Sequence, residues 1–201
     1  MIPPDFGDRP AVLRCGRCGH FADWNDARVQ VVCGCRTRLA LPPPLVREAS
    51  AEDRERAIEI FQREFRGRQL VADGEAVSFN DAQMLVAETE GGISGALAWR
   101  HRKGVFHIVA LATDPMWQRS GVGGYLVVEA EALARRDRMR KIVVTLTNDN
   151  IPALYFYQRR GYRLAAVFSG AVSSHPRNKN LAGFAGIPIE DEVQLSKAIE
   201  L

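Results

Sequence analysis

An almost unbroken apolar run, Val105–Thr113, leads into the glycine-rich stretch Gln118-Arg119-Ser120-Gly121-Val122-Gly123-Gly124. A segment of helical spacing follows to Arg136, and then a second apolar run, Ile142–Thr147. This succession constrains the fold more than anything else in the chain. A run that is apolar at nearly every position suits a strand buried on both faces. Strand, helix and strand in this order pack as a right-handed parallel crossover. Over residues 121–136, Val122, Leu126, Ala130, Leu133 and Ala134 fall on one side, as a helix covering a sheet requires. The sequence therefore predicts a mixed α/β domain with a parallel strand pair at its centre.

Weaker signals surround this unit. Leu45–Glu48 is a short apolar start, Ser50-x-x-Asp53 reads as a helix N-cap, and Ile58, Phe61 and Phe65 follow at helical spacing. Residues 67–80 are polar and carry no assigned element. Met84–Ala87 and Ile93–Trp99 are strand-like runs on either side of Glu90-Gly91-Gly92, a turn signal. Ala153–Arg160 is a short helix stopped by Gly161. Tyr162–Phe168 and the segment from Val193 read as strands, and Ser169–Gly186 as a long polar loop of the kind that usually carries function.

The glycine stretch sits between a strand and a helix. Glycines there let the backbone approach an anion, and the first-turn amides of the helix point at it. A phosphate-bearing ligand is the expectation. A Walker loop would end in Gly-Lys-Ser/Thr, and no lysine is present. A dinucleotide loop would place a third glycine where Leu126 stands and would follow the strand directly.

The remaining pattern, Gln/Arg-x-x-Gly-x-Gly/Ala, is met by Gln118, Gly121 and Gly123, and it resembles the acetyl-CoA pyrophosphate loop of the GNAT N-acetyltransferase superfamily. A second segment, Asn150-Ile151-Pro152-Ala153-Leu154-Tyr155-Phe156-Tyr157 through Gly161-Tyr162, resembles that superfamily's Asn-x-x-Ala-x-x-x-Tyr-x-x-x-Gly-Phe/Tyr segment in register. The resemblance covers residues 45–168 and implies a central mixed β-sheet flanked by helices. It implies direct attack of a primary amine, on a small molecule or a protein, on acetyl-CoA. By the same resemblance, the Leu111 amide polarises the thioester, and Leu111, Ala112 and Thr113 pair with the pantetheine arm. Gln118, Arg119, Ser120, Gly121, Val122, Gly123 and Gly124 bind the pyrophosphate. Asn150 lies beside the arm, and Tyr157 protonates the departing thiolate.

The base is less constrained. Several members of the superfamily carry a Glu on the strand eleven residues before the loop Gln, and His107 occupies that position here. An imidazole titrates near neutral pH and suits the task. A histidine on an apolar strand is as readily a core residue, and Glu88 on an earlier strand is a rival base. A non-catalytic acyl-CoA-binding module is the alternative to an enzyme.

All four cysteines, Cys15, Cys18, Cys33 and Cys35, fall near the N-terminus as Cys-x2-Cys and Cys-x-Cys pairs. Two close thiolate pairs can surround one tetrahedral ion. Residues 13–40 resemble a small zinc ribbon, which implies one structural Zn2+ held by these four residues. His20 is a substitute ligand, and independent reduced thiols or a redox pair stay open as other readings. Leu41-Pro42-Pro43-Pro44 follows. The division expected is a ribbon-like module over 1–41, a proline linker at 42–44 and the transferase domain over 45–201.

Composition then excludes several classes. The net charge of +3, from 27 basic against 24 acidic residues, is too balanced for a nucleic-acid scaffold. The cluster Arg135–Lys141 is read as a solvated helix C-terminus. No apolar window is long enough to span a membrane, and the first residues lack a basic head and an apolar run. A cytoplasmic protein is expected, with a protein or RNA partner for the ribbon as a further expectation. The oligomeric state is open, a homodimer included.

Overall fold

The computed structural model describes residues 12–14, 21–23, 31–32, 38–39, 43–65, 69–72, 75–89, 91–118, 121–174 and 181–200. In chain order the strands and helices are β1 (Val12–Arg14), β2 (Phe21–Asp23), β3 (Val31–Val32), β4 (Arg38–Leu39), β5 (Leu45–Glu48), α1 (Ala51–Phe65), β6 (Gln69–Ala72), β7 (Glu75–Ser78), β8 (Gln83–Thr89), β9 (Gly92–Arg102), β10 (Val105–Thr113), α2 (Val122–Arg136), β11 (Lys141–Thr147), α3 (Ile151–Gln158), β12 (Arg163–Phe168) and β13 (Glu192–Ala198).

Seven strands join in the order β12-β13-β11-β10-β9-β8-β5, and β1-β2, β3-β4 and β6-β7 form separate two-stranded ladders. β10 and β11 are parallel, with Phe106, His107 and Ile108 opposite Ile142, Val143 and Val144. β11–β13, β12–β13 and β5–β8 are antiparallel, so the sheet is mixed. The expected parallel crossover is β10-α2-β11.

The chain divides into two units. The first holds Met1–Arg68, Gln83–Ala98 and Ala110–Ala130, the second Gln69–Ala82, Trp99–Val109 and Glu131–Leu201.

In the first unit, α1 begins as its sequence dictates. The Asp53 amide donates to Ser50 Oγ at 3.3 Å, and the Ser50 amide donates to Asp53 Oδ2 at 2.7 Å. This reciprocal cap satisfies two helix-end donors. The buried face of α1 is Ala57, Ile60 and Phe61, whereas Ile58 and Phe65 are half-buried. The expected stripe of Ile58, Phe61 and Phe65 was thus correct only at Phe61. The small Ala57 takes an inner position, which a pattern of large apolar residues does not reveal. On β8, Met84, Leu85, Val86 and Ala87 are all buried, as are Ala96, Leu97 and Ala98 on β9. Their unbroken apolar runs therefore reflect burial on both faces.

In the second unit, β9 turns into β10 through Lys103 at φ 50° and Gly104 at φ 73°. Two consecutive positive φ values make the primed hairpin turn that matches strand twist. Trp99 stacks on Phe106 with centroids 4.6 Å apart. Lys197 Nζ meets both Glu131 oxygens at 2.8 Å and lies 5.6 Å from the Tyr162 ring centre. β12 ends the sheet order, and Leu164 and Val167 on it are more than half exposed. Gln69–Ala72 pairs with Glu75–Ser78 inside the stretch left unassigned from sequence. Both strands have only four residues, and Asp73-Gly74 between them was the turn signal that could have exposed them.

Candidate active site

The first unit carries the glycine stretch. β10 runs to Thr113, while its register with β11 covers Phe106–Ile108. Leu111, Ala112 and Thr113 are therefore extended residues at the strand's end. Asp114 ends the strand, its amide donating to the Ser94 carbonyl at 2.9 Å. A single 3₁₀ turn at Pro115–Trp117 brings the chain to Gln118. Arg119 and Ser120 lie outside the described residues. Gly121 has φ 101°, a conformation that side chains strongly disfavour. α2 starts directly after it. The amides of Gly124 and Tyr125 return to the Gly121 carbonyl at 2.8 and 3.3 Å. The first-turn amides of Val122 and Gly123 have no intrahelical acceptor, as at any helix start, and are suited to an anion.

Two neighbours hold this turn in place, and neither was singled out from sequence. A Cβ at Gly95 would lie 2.8 Å from Val122 Cγ1 and 3.1 Å from the Ala112 carbonyl oxygen. Gly95 thus lets the fully buried Val122 seat the helix start against β9. A lone glycine inside a strand-like run was the available signal. The Asp114 carboxylate accepts Arg56 at 3.0 Å and Arg63 at 3.2 Å, tying α1 to the start of the loop. No local pattern reports that pair, because its members are far apart in sequence.

The second unit carries the other motif. Asn150 is the N-cap of α3, its Oδ1 accepting the Ala153 amide at 3.1 Å. The side-chain oxygen is thereby committed, and its NH2 group remains the donor available to a ligand. Tyr157 lies on α3 and is buried, with its ring edge-on to Phe156 and Tyr162 at 5.0 and 5.2 Å. Burial pushes its hydroxyl well above the ordinary phenol range, and the nearby Arg160 charge offsets only part of that. The group therefore holds its proton at neutral pH.

His107 is half-buried on β10 and lines an open trough enclosing about 510 Å³. Val143 shares the trough's middle, Glu192 and Phe168 line one end, and Lys103 and Lys141 the other. The rival base has a different setting. In the first unit, Glu88 Oε2 accepts Arg47 Nε at 3.0 Å and Nη2 at 2.8 Å, and Arg47 also pairs with Asp53. The hydrogen bond from Arg47 holds the Asp53 carboxyl well below its usual range, against the opposing effect of burial.

The four cysteines and His20 lie outside the described residues, and so does His175. Among the described residues, no cluster of three or more His, Cys, Asp or Glu is placed to hold a metal.

The acetyltransferase (GNAT) family model matches residues 47–162. The uncharacterized protein YdhI of Bacillus subtilis (strain 168) is 39% identical over 93 residues, which span 45% of this chain and 58% of that protein. Among solved structures, a Bacillus subtilis acetyltransferase in complex with CoA superposes with a TM-score of 0.61 at 17% identity, covering 78% of this chain and 99% of that one. A GNAT family acetyltransferase from Elizabethkingia anophelis with acetyl-CoA bound gives 0.60 at 16% identity, covering 78% and 99%. At these identities the two structures speak for the fold alone.

Proposed function

Since the chain belongs to the acetyltransferase (GNAT) family, we propose that it moves an acetyl group from acetyl-CoA to a primary amine of a small molecule or protein. The observation that carries this reading is Gly121 at φ 101°, between Gln118 and the first turn of α2. The free amides of the first helical turn there suit an anion, and the family's loop pattern falls on the same stretch. The CoA and acetyl-CoA complexes among proteins of the same fold support it further.

Acetyl-CoA supplies an activated thioester. The amine nitrogen attacks the carbonyl carbon, a C–N bond forms and the C–S bond breaks. The amine's proton passes to a base, and the leaving sulfur takes a proton. On this reading Leu111, Ala112 and Thr113 receive the pantetheine arm, and the Leu111 amide faces the carbonyl where negative charge develops. Gln118, Arg119, Ser120, Gly121, Val122, Gly123 and Gly124 hold the pyrophosphate, and the Asn150 NH2 group lies beside the arm. Tyr157 gives the proton to sulfur. His107 is preferred to Glu88 as base, because Glu88 is already occupied by Arg47.

The ribbon, the proline linker and the transferase domain are retained as the proposed division, at 1–41, 42–44 and 45–201. Two ladders support the ribbon. β1 pairs with β2 and β3 with β4, and the segments joining them hold Cys15 with Cys18 and Cys33 with Cys35. In sequence each cysteine pair thus falls between two strands that pair with one another, and two such close pairs supply the four thiolates that a structural zinc ion takes.

The test is binding and turnover. Gly121→Asp sets a side chain at a strained φ and an anion against the pyrophosphate. Acetyl-CoA affinity measured by calorimetry should fall by about 100-fold or more. Unchanged affinity in the folded variant removes the central assignment. Thiol release from acetyl-CoA against a panel of amines, polyamines and basic peptides reports the acceptor.

A further inference from the structure

Residues 181–189, in the second unit, fold back on themselves as a strap. The Ile189 amide donates to the Leu181 carbonyl and the Gly183 amide to the Ile187 carbonyl, both at 2.9 Å, and Ala182 bridges Pro188. The tip is a single 3₁₀ turn at Phe184–Gly186, with Ala185 at φ 54° and Gly186 at φ 81°. Not one of residues 181–190 is buried, and Leu181 and Phe184 are 43% and 51% exposed. A segment with so little buried apolar surface gains almost nothing from packing, so hydrogen bonds must hold it.

Those bonds come from the turn between β11 and α3. At the root, Asn148 Nδ2 donates to the Pro188 carbonyl at 2.9 Å, and its Oδ1 accepts the Glu190 and Asp191 amides at 2.9 and 3.0 Å. The tip has a different anchor. Asp149 Oδ2 accepts the Phe184 amide at 3.1 Å, and among the described residues this is the one hydrogen bond from 183–187 to the rest of the unit. A Cβ at Gly183 would overlap the Asp149 carboxylate, so this approach closes only on a glycine.

The anchor is itself half used. Asp149 is buried, yet its Oδ1 accepts no hydrogen bond among the described residues. A buried carboxylate with one oxygen unmet costs free energy, which offsets part of what the Phe184 bond contributes. Ala185 adds a left-handed conformation that only glycine adopts readily. The strap thus has a firm root and a lightly held tip.

The place of the anchor gives that asymmetry a use. Asp149 directly precedes Asn150, the N-cap of α3, whose NH2 group lies beside the pantetheine arm on the acetyl-transfer reading. We propose that Asp149 is a positioning residue: it latches the tip of the strap beside the bound arm, which slows release of acetyl-CoA and keeps water from the thioester. The assignment rests on the acetyl-transfer reading and adds to it a retention step, with Asp149 and Gly183 as the residues that set it. Closing costs one hydrogen bond's worth of order and no covalent change. Segments of this kind close on a bound ligand and govern how long it stays.

The experiment uses the full chain and follows acetyl-CoA by stopped flow with no amine present. Asp149→Ala removes the anchor, whereas Gly183→Ala blocks the approach and leaves the carboxylate in place. Each should raise the acetyl-CoA dissociation rate by about tenfold and leave the association rate nearly unchanged. Asp149→Asn keeps an oxygen for the Phe184 amide and should release acetyl-CoA within about threefold of the wild type. Hydrogen exchange over the strap should slow on adding acetyl-CoA to the wild type, and not in either alanine variant. Gly183 lies in a segment with no buried residue, so Gly183→Ala should unfold at the wild-type temperature, and lost folding does not explain its faster release. A wild-type dissociation rate in either alanine variant, an asparagine variant as fast as the alanine one, or a strap whose exchange ignores acetyl-CoA overturns the latch. The acetyl-CoA reading then still stands if Gly121→Asp abolishes binding. A wild type that binds no acetyl-CoA overturns that reading and the latch with it.

Discussion

Tyr157 and His107 are the two side chains proposed here to move protons. Burial raises the Tyr157 hydroxyl far above its ordinary value, so it stays protonated at neutral pH. Tyr157→Phe keeps the ring against Phe156 and Tyr162 and removes only the hydroxyl. Turnover should drop by roughly 100-fold or more with acetyl-CoA affinity nearly unchanged. Wild-type turnover would end its assignment as the acid and turn attention to Tyr155. His107 lines a trough and is half-buried. If it takes the amine's proton, activity falls as pH drops and the imidazole becomes charged. His107→Ala should then lose most activity near neutral pH and lack that acidic limb, whereas an unchanged profile returns His107 to a packing role. Both residues were singled out through the resemblance, Tyr157 by its place in a motif and His107 by its distance from Gln118. Gly95 and Asp114 were not. Their work is done on residues distant in the chain, and no spacing rule reaches that far.

Among elements, the start of α2 depends most on a neighbour. Val122 is fully buried, and the nearest strand offers room only because residue 95 lacks a side chain. Gly95→Ala must push on Val122 and on the Ala112 carbonyl. It should cost about 1–3 kcal/mol of stability, as overpacking does, and weaken acetyl-CoA binding in step. Thermal unfolding and calorimetry on one preparation check both. A stable variant with full affinity would show that the helix start is not set by this contact. The strands and helices themselves divide by how local their signals are. β10 matched its expected bounds at Val105 and Thr113, and α2 began one residue late, since long apolar runs and a helical stripe are local patterns. The β6–β7 ladder was missed because four-residue strands carry too few alternations to read, and the Asp73-Gly74 turn signal between them was not used. The inner face of α1 shifted by one position, because burial of Ala57 is decided by what lies opposite and not by its own hydrophobicity.

For the whole molecule, the expected outcome of metal analysis on protein purified without chelator is one zinc per chain. Less than about half an equivalent would count heavily against Cys15, Cys18, Cys33 and Cys35 as ligands. Removing residues 1–41 should leave acetyl-CoA binding intact, because both transferase motifs lie after the prolines. A folded, shortened chain without that affinity would refute the proposed division. The outermost strand has a consequence of a different kind. β12 presents Leu164 and Val167 to solvent beside a backbone row that ends the sheet order, and Arg163 is the only charged residue along it. Exposed edges are ordinarily blunted by several charges, prolines or a bulge, and here the bulge near Ala165 and one arginine must serve. With a net charge of only +3, long-range repulsion between molecules is weak. This strand is therefore a place where two molecules can pair edge to edge in concentrated solution: turbidity should grow on storage, and Leu164→Lys should delay it.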